Sequence, residues 1–323
     1  MGDQKIKLSI NTPARLHFGI IDMRGDLGRI HGSLGVAIEK PRLRLEICEA
    51  ERIRIYGARS SRAEEIINRF VSDYNIETGV ELKIYEDIPE HKGFGSGTQL
   101  ALALGIAMNK IFNLGLTIED IAIKLDRSKV SGVGTHGFLQ GGFIVDGGHS
   151  VEHLNTVPPL VYRSDFPEDW SLVVCVPEIK KGFSGKQEQN AFKKLEPPPA
   201  EMVASVSRLV LMQMIPAMID KNIALFGDAM TKLDIMFGDY WKDIQGGTYT
   251  HPRIEECINY LLEKGAYGAG QSSWGPALYG LTRGMDQANK IKDKMNYFLN
   301  LNDNTGDVFV TRVNNKGAQI TTG

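Results

Sequence analysis

Charge of one sign is the first thing this chain lacks. Its 37 Lys and Arg nearly balance its 39 Asp and Glu, leaving a formal net charge of −2 over 323 residues. Such a chain exerts no bulk electrostatic pull on nucleic acid, so any anionic ligand must be held by local groups. Long apolar runs are also missing; none reads as a membrane span. Residues 1–7, MGDQKIK, contain no apolar signal core, and the expected location is cytoplasmic. Cysteine is scarce. Cys48, Cys175 and Cys257 are isolated and odd in number, in no metal or redox spacing, so reduced, buried thiols are expected. Neither a repeat nor a low-complexity tail is visible.

What remains is the composition of an ordinary globular protein, 42% hydrophobic and 24% charged, with length enough for two domains. Strand patterns are expected at 5–12, 16–23 and 33–38, and 43–48 and 52–56 alternate in period two as hairpin partners do. Residues 63–75 have helical spacing, and 80–86 read as a strand. Thr117 with Asp120 three residues on gives a capping-box-like start to a helix over 118–125. Residues 141–146 read as a strand. Proline-rich turns between 155 and 170 place a domain boundary there, giving units 1–165 and 166–323. Beyond it, 172–177 reads as a buried strand, 202–218 and 222–237 as Met-rich core helices, and 251–264 as another helix. Strands at 277–282 and 308–313 flank a helix at 285–298. The sum is an α+β chain.

Glycine, by contrast, is plentiful and clustered. The most telling cluster runs Gly93-Phe94-Gly95-Ser96-Gly97-Thr98-Gln99 straight into an apolar, small-residue helix at 100–112. Glycines let the backbone take positive φ and come close to a ligand. The first N–H groups of a helix have no internal partner and carry partial positive charge. A phosphate or pyrophosphate is the natural guest, with Ser96 and Thr98 offering hydroxyls to it or to a hydrated metal ion. The plainer reading is a glycine-rich turn with Ser96 or Thr98 as helix cap.

Two other stretches share this character: Arg15-Leu16-His17-Phe18-Gly19, followed by Asp22, and Gly268-Ala269-Gly270-Gln271-Ser272-Ser273-Trp274-Gly275-Pro276. In that order along the chain, the three resemble the motifs of the GHMP superfamily, named for galactokinase, homoserine kinase, mevalonate kinase and phosphomevalonate kinase. The resemblance implies a GHMP-kinase-like two-domain fold, with a ribosomal-S5-like N-terminal domain and a ferredoxin-like α/β sandwich at the C-terminus. With Ser131-Gly132-Val133-Gly134-Thr135-His136-Gly137 and Gly141-Gly142 added, the set resembles the β-ribofuranosylaminobenzene 5′-phosphate synthase family, a non-kinase branch. That branch joins phosphoribosyl pyrophosphate to 4-aminobenzoate, or in some members 4-hydroxybenzoate, with loss of carbon dioxide and pyrophosphate, in methanopterin biosynthesis. Many superfamily kinases carry Ser-Gly-x-Asp, whose aspartate activates the attacking hydroxyl. Here Gly134 stands at that position, which lowers the kinase reading without removing it, since homoserine kinase also lacks the aspartate. A non-catalytic binding protein that kept the phosphate loop is the third reading.

The resemblance implies a pentosyltransferase acting on small molecules with Mg²⁺, with neither nucleic acid nor membrane as partner; a homodimer stays open. Such a reaction needs pyrophosphate neutralised, the ribose 5-phosphate anchored, the benzoate oriented and developing positive charge tolerated, mostly by positioning and electrostatics. Candidate phosphate ligands are Gly93, Gly95, Ser96, Gly97, Thr98, Gln99, Lys180 and Lys181, the two lysines reading equally well as a solvated pair. Arg15, His17, Thr135 and His136 are the catalytic candidates; Arg15 can contact a phosphate or carboxylate bidentately, and each histidine either touches substrate or is a structural hydrogen-bonder. Ser96 and Asp22 are the metal candidates, although Asp22 also suits a turn before Gly25. Gln271, Ser272, Ser273 and Trp274 are assigned to the acceptor, with Trp274 either stacking on its ring or filling core. Two decoys are set aside. Residues 132–137 satisfy G-x-G-x-x-G but precede a strand pattern beginning at Phe138, not the helix a dinucleotide site requires. His149-Ser150-Val151-Glu152-His153 has an inverted-zincin order in surroundings poor for a helix.

Overall fold

The computed structural model describes residues 6–179, 196–301 and 305–323. They form two antiparallel-rich sheets with helices against them, the α+β architecture expected. The first sheet begins with two long strands, β1 (Lys7–Asp22) and β2 (Arg29–Ala50), paired antiparallel along nearly their whole length. The sequence pattern divides each of these into shorter strands because their periodicity is broken. The structure keeps them continuous by absorbing the breaks as register shifts at Pro13/Ala14 and His17/Gly19. β3 (Arg54–Tyr56) and β4 (Gly79–Glu86) extend the sheet beyond β2, β5 (Phe143–Asp146) and β6 (His149–Ser150) pair with the other half of β2, and β7 (Leu160–Ser164) pairs with β5.

Four helices belong to this half. α1 (Ser60–Asp73) and α2 (Ser96–Phe112) pack on each other, with Ile66, Ile67 and Phe70 meeting the small apolar face of α2. Gly105 lets the next helix approach α2 as well, since a Cβ there would lie 2.3 Å from Ile121 Cγ2. α3 (Ile118–Lys124) opens with the capping box foreseen at Thr117 and Asp120. α4 (Val133–Gln140) occupies residues where the sequence pattern expects a strand from Phe138; the strand begins only at Phe143, after Gly141 at φ 62° ends the helix. Val133, Thr135, His136, Gly137 and Phe138 are all buried, so tertiary packing rather than amphipathic spacing holds this helix.

The second sheet has the order β11-β8-β10-β9, from β8 (Trp170–Pro177), β9 (Gly268–Gln271), β10 (Leu278–Arg283) and β11 (Gly306–Thr311). Every residue of β8 is buried because both of its faces are covered. Val173 and Cys175 face α8 (Pro252–Glu263) and α9 (Met285–Leu299). Leu172 and Val174 face the main core, which includes Phe226, Met230 and Leu233 of α7 (Ile223–Gln245). The last strand, β12 (Gln319–Thr322), returns to pair with β1 of the first sheet.

One continuous helical stretch precedes α7: α5 (Ala200–Leu209), a π-turn over Val210–Met214, and α6 (Ile215–Ile219). By length and composition Ala200–Ile219 suffices to cross a membrane, which the sequence pattern alone did not suggest. Val206, Val210, Met214, Ala217 and Met218 pack into the main core, whereas Leu211, Met212 and Ile219 are exposed. The three cysteines are free, and Cys175 and Cys257 are buried.

Candidate active site

The three glycine-rich stretches meet in space. β1 carries Arg15 and His17, the loop before α2 carries residues 93–99, and the turn between β9 and β10 carries Ser272 to Gly275. Ser272, fully buried, is the pin: its hydroxyl donates to the Gly93 carbonyl at 2.7 Å and accepts from the His17 N–H at 3.0 Å. The Arg15 N–H donates to the Phe94 carbonyl at 3.0 Å, and its guanidinium Nη1 donates to the Gly93 carbonyl. The Ala277 N–H closes the junction on the Lys92 carbonyl at 3.0 Å. Gly93, at φ 92°, is required here twice over: its conformation is left-handed, and a Cβ would sit 2.5 Å from the Ser272 carbonyl oxygen. Ser272, assigned by sequence to the acceptor, instead joins three chain segments.

Two cavities open at this junction. The first, about 270 Å³, is lined by the glycine loop from Gly93 to Thr98 and by Arg15, Glu90 and Arg127. Ser96 begins α2, so the unpartnered N–H groups and positive end of a 17-residue helix are at this cavity. Arg127 was not singled out from the sequence. A Cβ on Gly97 would lie 3.3 Å from its Nη1, which places the guanidinium over the loop. Burial, then the nearby Arg62, pushes Arg127 below its ordinary value, an environment that an anion would relieve. Arg59 braces the loop from behind, pairing with Asp87 and donating to the Ser96 carbonyl at 3.2 Å. Buried Gln99 faces away from this cavity and donates to the Gly134 carbonyl at 2.9 Å.

The second cavity, about 140 Å³, shares Arg15, Ser273 and Trp274 with the first. Its walls are aromatic: Phe18, Phe237, Trp241, Tyr249 and Trp274. Trp274 stands edge-on to Trp241, ring centroids 4.7 Å apart at 73°, so it is at once a packed residue and a wall of both cavities. The volume matches the class of apolar cavity, about 150 Å³, that accepts one benzene ring. His17 lines this cavity, and burial, then Arg15, lowers it to about 3. It is therefore a neutral imidazole at neutral pH.

Asp234 of α7 lines the same cavity and was missed by sequence reasoning. It is 7% exposed. Oδ1 accepts the Gln271 N–H at 2.9 Å, while Oδ2 is buried and makes no close hydrogen bond, with the Tyr249 hydroxyl beside the carboxyl. Burial pushes the carboxyl up to about 7, against the Gln271 N–H and the Tyr249 hydroxyl, which both favour the charged form. Gly270 makes room for it; a Cβ there would be 2.8 Å from Asp234 Cγ. The signal was present in the sequence as one acid inside the apolar stripe Met230, Leu233, Phe237, Trp241.

Other sequence candidates lie elsewhere. Thr135 is fully buried with its hydroxyl 2.7 Å from that of Ser128, and the His136 Nε2 is 2.7 Å from the Pro158 carbonyl; neither lines a cavity at the junction. Both are packing and hydrogen-bonding residues of α4. Asp22 lies near the end of β1 and accepts the N–H groups of Arg24 and Gly25 at 2.6 and 3.3 Å, the turn-capping alternative. Gln271 braces the turn through the Ser273 carbonyl at 3.0 Å. Lys180 and Lys181 fall outside the described residues. Buried Asp146 accepts from the N–H groups of Gly132 and Gly148 and fixes the turn that brings Ser131 to the second cavity. Among the described residues no group of three or more His, Cys, Asp or Glu could hold a metal ion. Magnesium takes oxygen ligands, and the residues of the first cavity that could hold it are Ser96 and its one carboxylate residue, Glu90.

Comparison with known proteins places the chain among relatives of one fold. Residues 61–145 match the GHMP kinases N terminal domain, and residues 214–301 match the GHMP kinases C terminal family. The chain is 33% identical to a β-ribofuranosylphenol 5′-phosphate synthase of Methanocaldococcus jannaschii, over 96% of this chain and 99% of that one. It is 32% identical to the protein of the same name from Methanothermobacter thermautotrophicus, over 86% and 89%. The solved structure of homoserine kinase from Cytophaga hutchinsonii superposes with a TM-score of 0.70 at 17% identity, covering 99% of both chains, and shows the common fold.

Proposed function

We propose that this chain, which belongs to the β-ribofuranosylphenol 5′-phosphate synthase family and has the GHMP fold, is a decarboxylating pentosyltransferase. It transfers the 5-phosphoribosyl group of phosphoribosyl pyrophosphate to 4-hydroxybenzoate or 4-aminobenzoate, releasing carbon dioxide and pyrophosphate. The phenol in the relatives' name is the product that 4-hydroxybenzoate would give. The observation that carries the reading is the pair of joined cavities: an anion site at a helix N-terminus opens beside an aromatic slot for one ring, with Arg15, Ser273 and Trp274 common to both.

In this arrangement the glycine loop, the α2 N-terminus and Arg127 neutralise pyrophosphate as it leaves ribose C1. Magnesium held by Ser96 and Glu90 would add positive charge to the same oxygens. Arg15, at the junction, faces the benzoate carboxylate and holds the ring carbon toward C1. The aromatic walls exclude water, which would otherwise capture the developing cation at C1. A GHMP kinase is the weaker alternative. Gly134 supplies no base, and its position is filled by packing: a Cβ there would meet Thr98 Cγ2 at 3.2 Å.

The test is carboxyl-labelled 4-hydroxybenzoate and 4-aminobenzoate, each with phosphoribosyl pyrophosphate and Mg²⁺, following labelled carbon dioxide and pyrophosphate. Release of both, dependent on both substrates, is expected. Release of neither, with ATP consumed in a hydroxyl-acceptor screen, would move the assignment to a kinase. A homodimer in a reducing cytoplasm remains part of the proposal, favoured by exposed Leu211, Met212 and Ile219 and by three free thiols. Sedimentation equilibrium checks the former and cell fractionation the latter.

A further inference from the structure

A buried carboxylate oxygen without a partner is costly, and natural proteins keep one only where something offsets it. Asp234 Oδ2 makes no close hydrogen bond, the Tyr249 hydroxyl being the one side-chain donor beside the carboxyl, and Asp234 is the one carboxylate among the residues lining the aromatic cavity. The cavity has a direction. Its glycine-loop end is marked by Arg15, Ser273 and Trp274, which line both cavities; Asp234, Thr248 and Tyr249 line the aromatic cavity alone. If the reaction proposed above takes place, ribose C1 and the ring carbon bearing the carboxylate meet at the shared end. The substituent para to that carbon then points away from the junction.

From this placement we infer that Asp234 is a catalytic residue that binds the para substituent of the acceptor and takes the proton of its 4-hydroxyl. The inference rests on the function proposed above. The step balances. The ring carbon carrying the carboxylate bonds to ribose C1 as the C1–O bond to pyrophosphate breaks, its electron pair going to pyrophosphate. Asp234 takes the hydroxyl proton in that step, which leaves a neutral dienone ring. When the bond to the carboxylate breaks, its electron pair restores the aromatic ring and carbon dioxide departs. Asp234 then returns the proton to the oxygen. With 4-aminobenzoate the same oxygen accepts an N–H hydrogen bond.

The surroundings suit a group that both takes and returns a proton. Burial holds Asp234 at about 7, close to neutral pH, where proton transfer in both directions is efficient. Tyr249 and Tyr279 are the other ionisable groups acting on this carboxyl or acted on by it, and burial pushes both phenols up, so they remain neutral beside it. Tyr279 Oη is likewise buried without a hydrogen-bond partner, and both it and Asp234 Oδ1 would lie 2.9 Å from a Cβ on Gly270. Cavity, carboxylate and glycine thus form one built arrangement.

The experiment compares wild type and Asp234→Asn on two acceptors at mildly alkaline pH, 4-hydroxybenzoate and 3,5-difluoro-4-hydroxybenzoate, whose ortho fluorines leave its hydroxyl largely ionised there while that of 4-hydroxybenzoate stays protonated. Carbon dioxide release gives kcat/KM for each. The Asn variant should lose about 100-fold or more on 4-hydroxybenzoate, and the loss should shrink to less than about tenfold on the difluoro acceptor, because no proton need be removed. Equal losses on both acceptors, or no loss, would overturn the assignment and leave Asp234 a structural residue. If wild type itself releases neither product, the proposed function fails first, which separates the two failures. Should the variant not fold, wild type offered 4-methoxybenzoate decides: it has no proton to give and should not turn over, and turnover would overturn the inference.

Discussion

Asp234→Asn should make the protein more stable at neutral pH, and more so the higher the pH. The folded carboxyl titrates at about 7, against 3.8 for an unhindered aspartate. Because the folded value is raised, the folded state holds a proton that the unfolded state has released between these two values. The stabilisation from the protonated form is complete below about pH 4 and is lost as pH rises through 7. Each pH unit between the two values is worth about 1.4 kcal/mol, so the full span amounts to roughly 4 kcal/mol. That figure is an upper bound if water enters the cavity to solvate the charge. Asparagine keeps the shape and the acceptor for the Gln271 N–H and carries no charge, so its stability should lack this slope. The assay is urea unfolding of both proteins followed by tryptophan fluorescence from about pH 4 to about pH 8. Other titrating groups cancel in the difference between the two. The difference should grow with pH in favour of Asn, flattening above 7. A difference that is constant with pH would refute the burial argument. A stabilised variant that has lost turnover would mark Asp234 as a residue whose cost in stability is set by function.

Three further outcomes follow from the site. Ser96→Ala with Thr98→Ala should reduce kcat/KM at least tenfold with unchanged circular dichroism, each tenfold being ~1.4 kcal/mol of transition-state stabilisation; wild-type turnover would sink the phosphate-loop assignment. Arg127→Ala should raise KM for phosphoribosyl pyrophosphate about tenfold or more, the scale of a lost charge-assisted contact, with KM for the benzoate unchanged; steady-state kinetics in each substrate separates the two. Gly93→Ala should cost roughly 1–3 kcal/mol through backbone strain alone, because φ is 92° and the new Cβ would meet the Ser272 carbonyl at 2.5 Å. A lowered melting temperature with lost activity is expected, and a wild-type melting curve would show that the turn does not dock on the loop.

Sequence by itself determined the parts whose signal is local. Glycines before an apolar small-residue helix announce a loop entering a helix N-terminus, and residues 93–99 take up that geometry. Thr117 and Asp120 announce a capping box and form one. The order of three glycine-rich stretches identified the superfamily, because each must let backbone approach backbone or ligand at a fixed place in the fold. Tertiary structure alone decided which polar side chains face a cavity. Thr135 and His136 sit in a motif as glycine-rich as the others, yet α4 turns them to Ser128 and Pro158. Asp234 and Arg127 sit in ordinary sequence and are brought to the site by α7 and by the turn after α3. Ser272 has a role only because β1, the glycine loop and the β9–β10 turn converge on it from positions 255 and 179 residues apart. Local spacing encodes backbone conformation; the burial that raises the Asp234 carboxyl, and the meeting of two cavities at Arg15, arise from contacts distant in the chain.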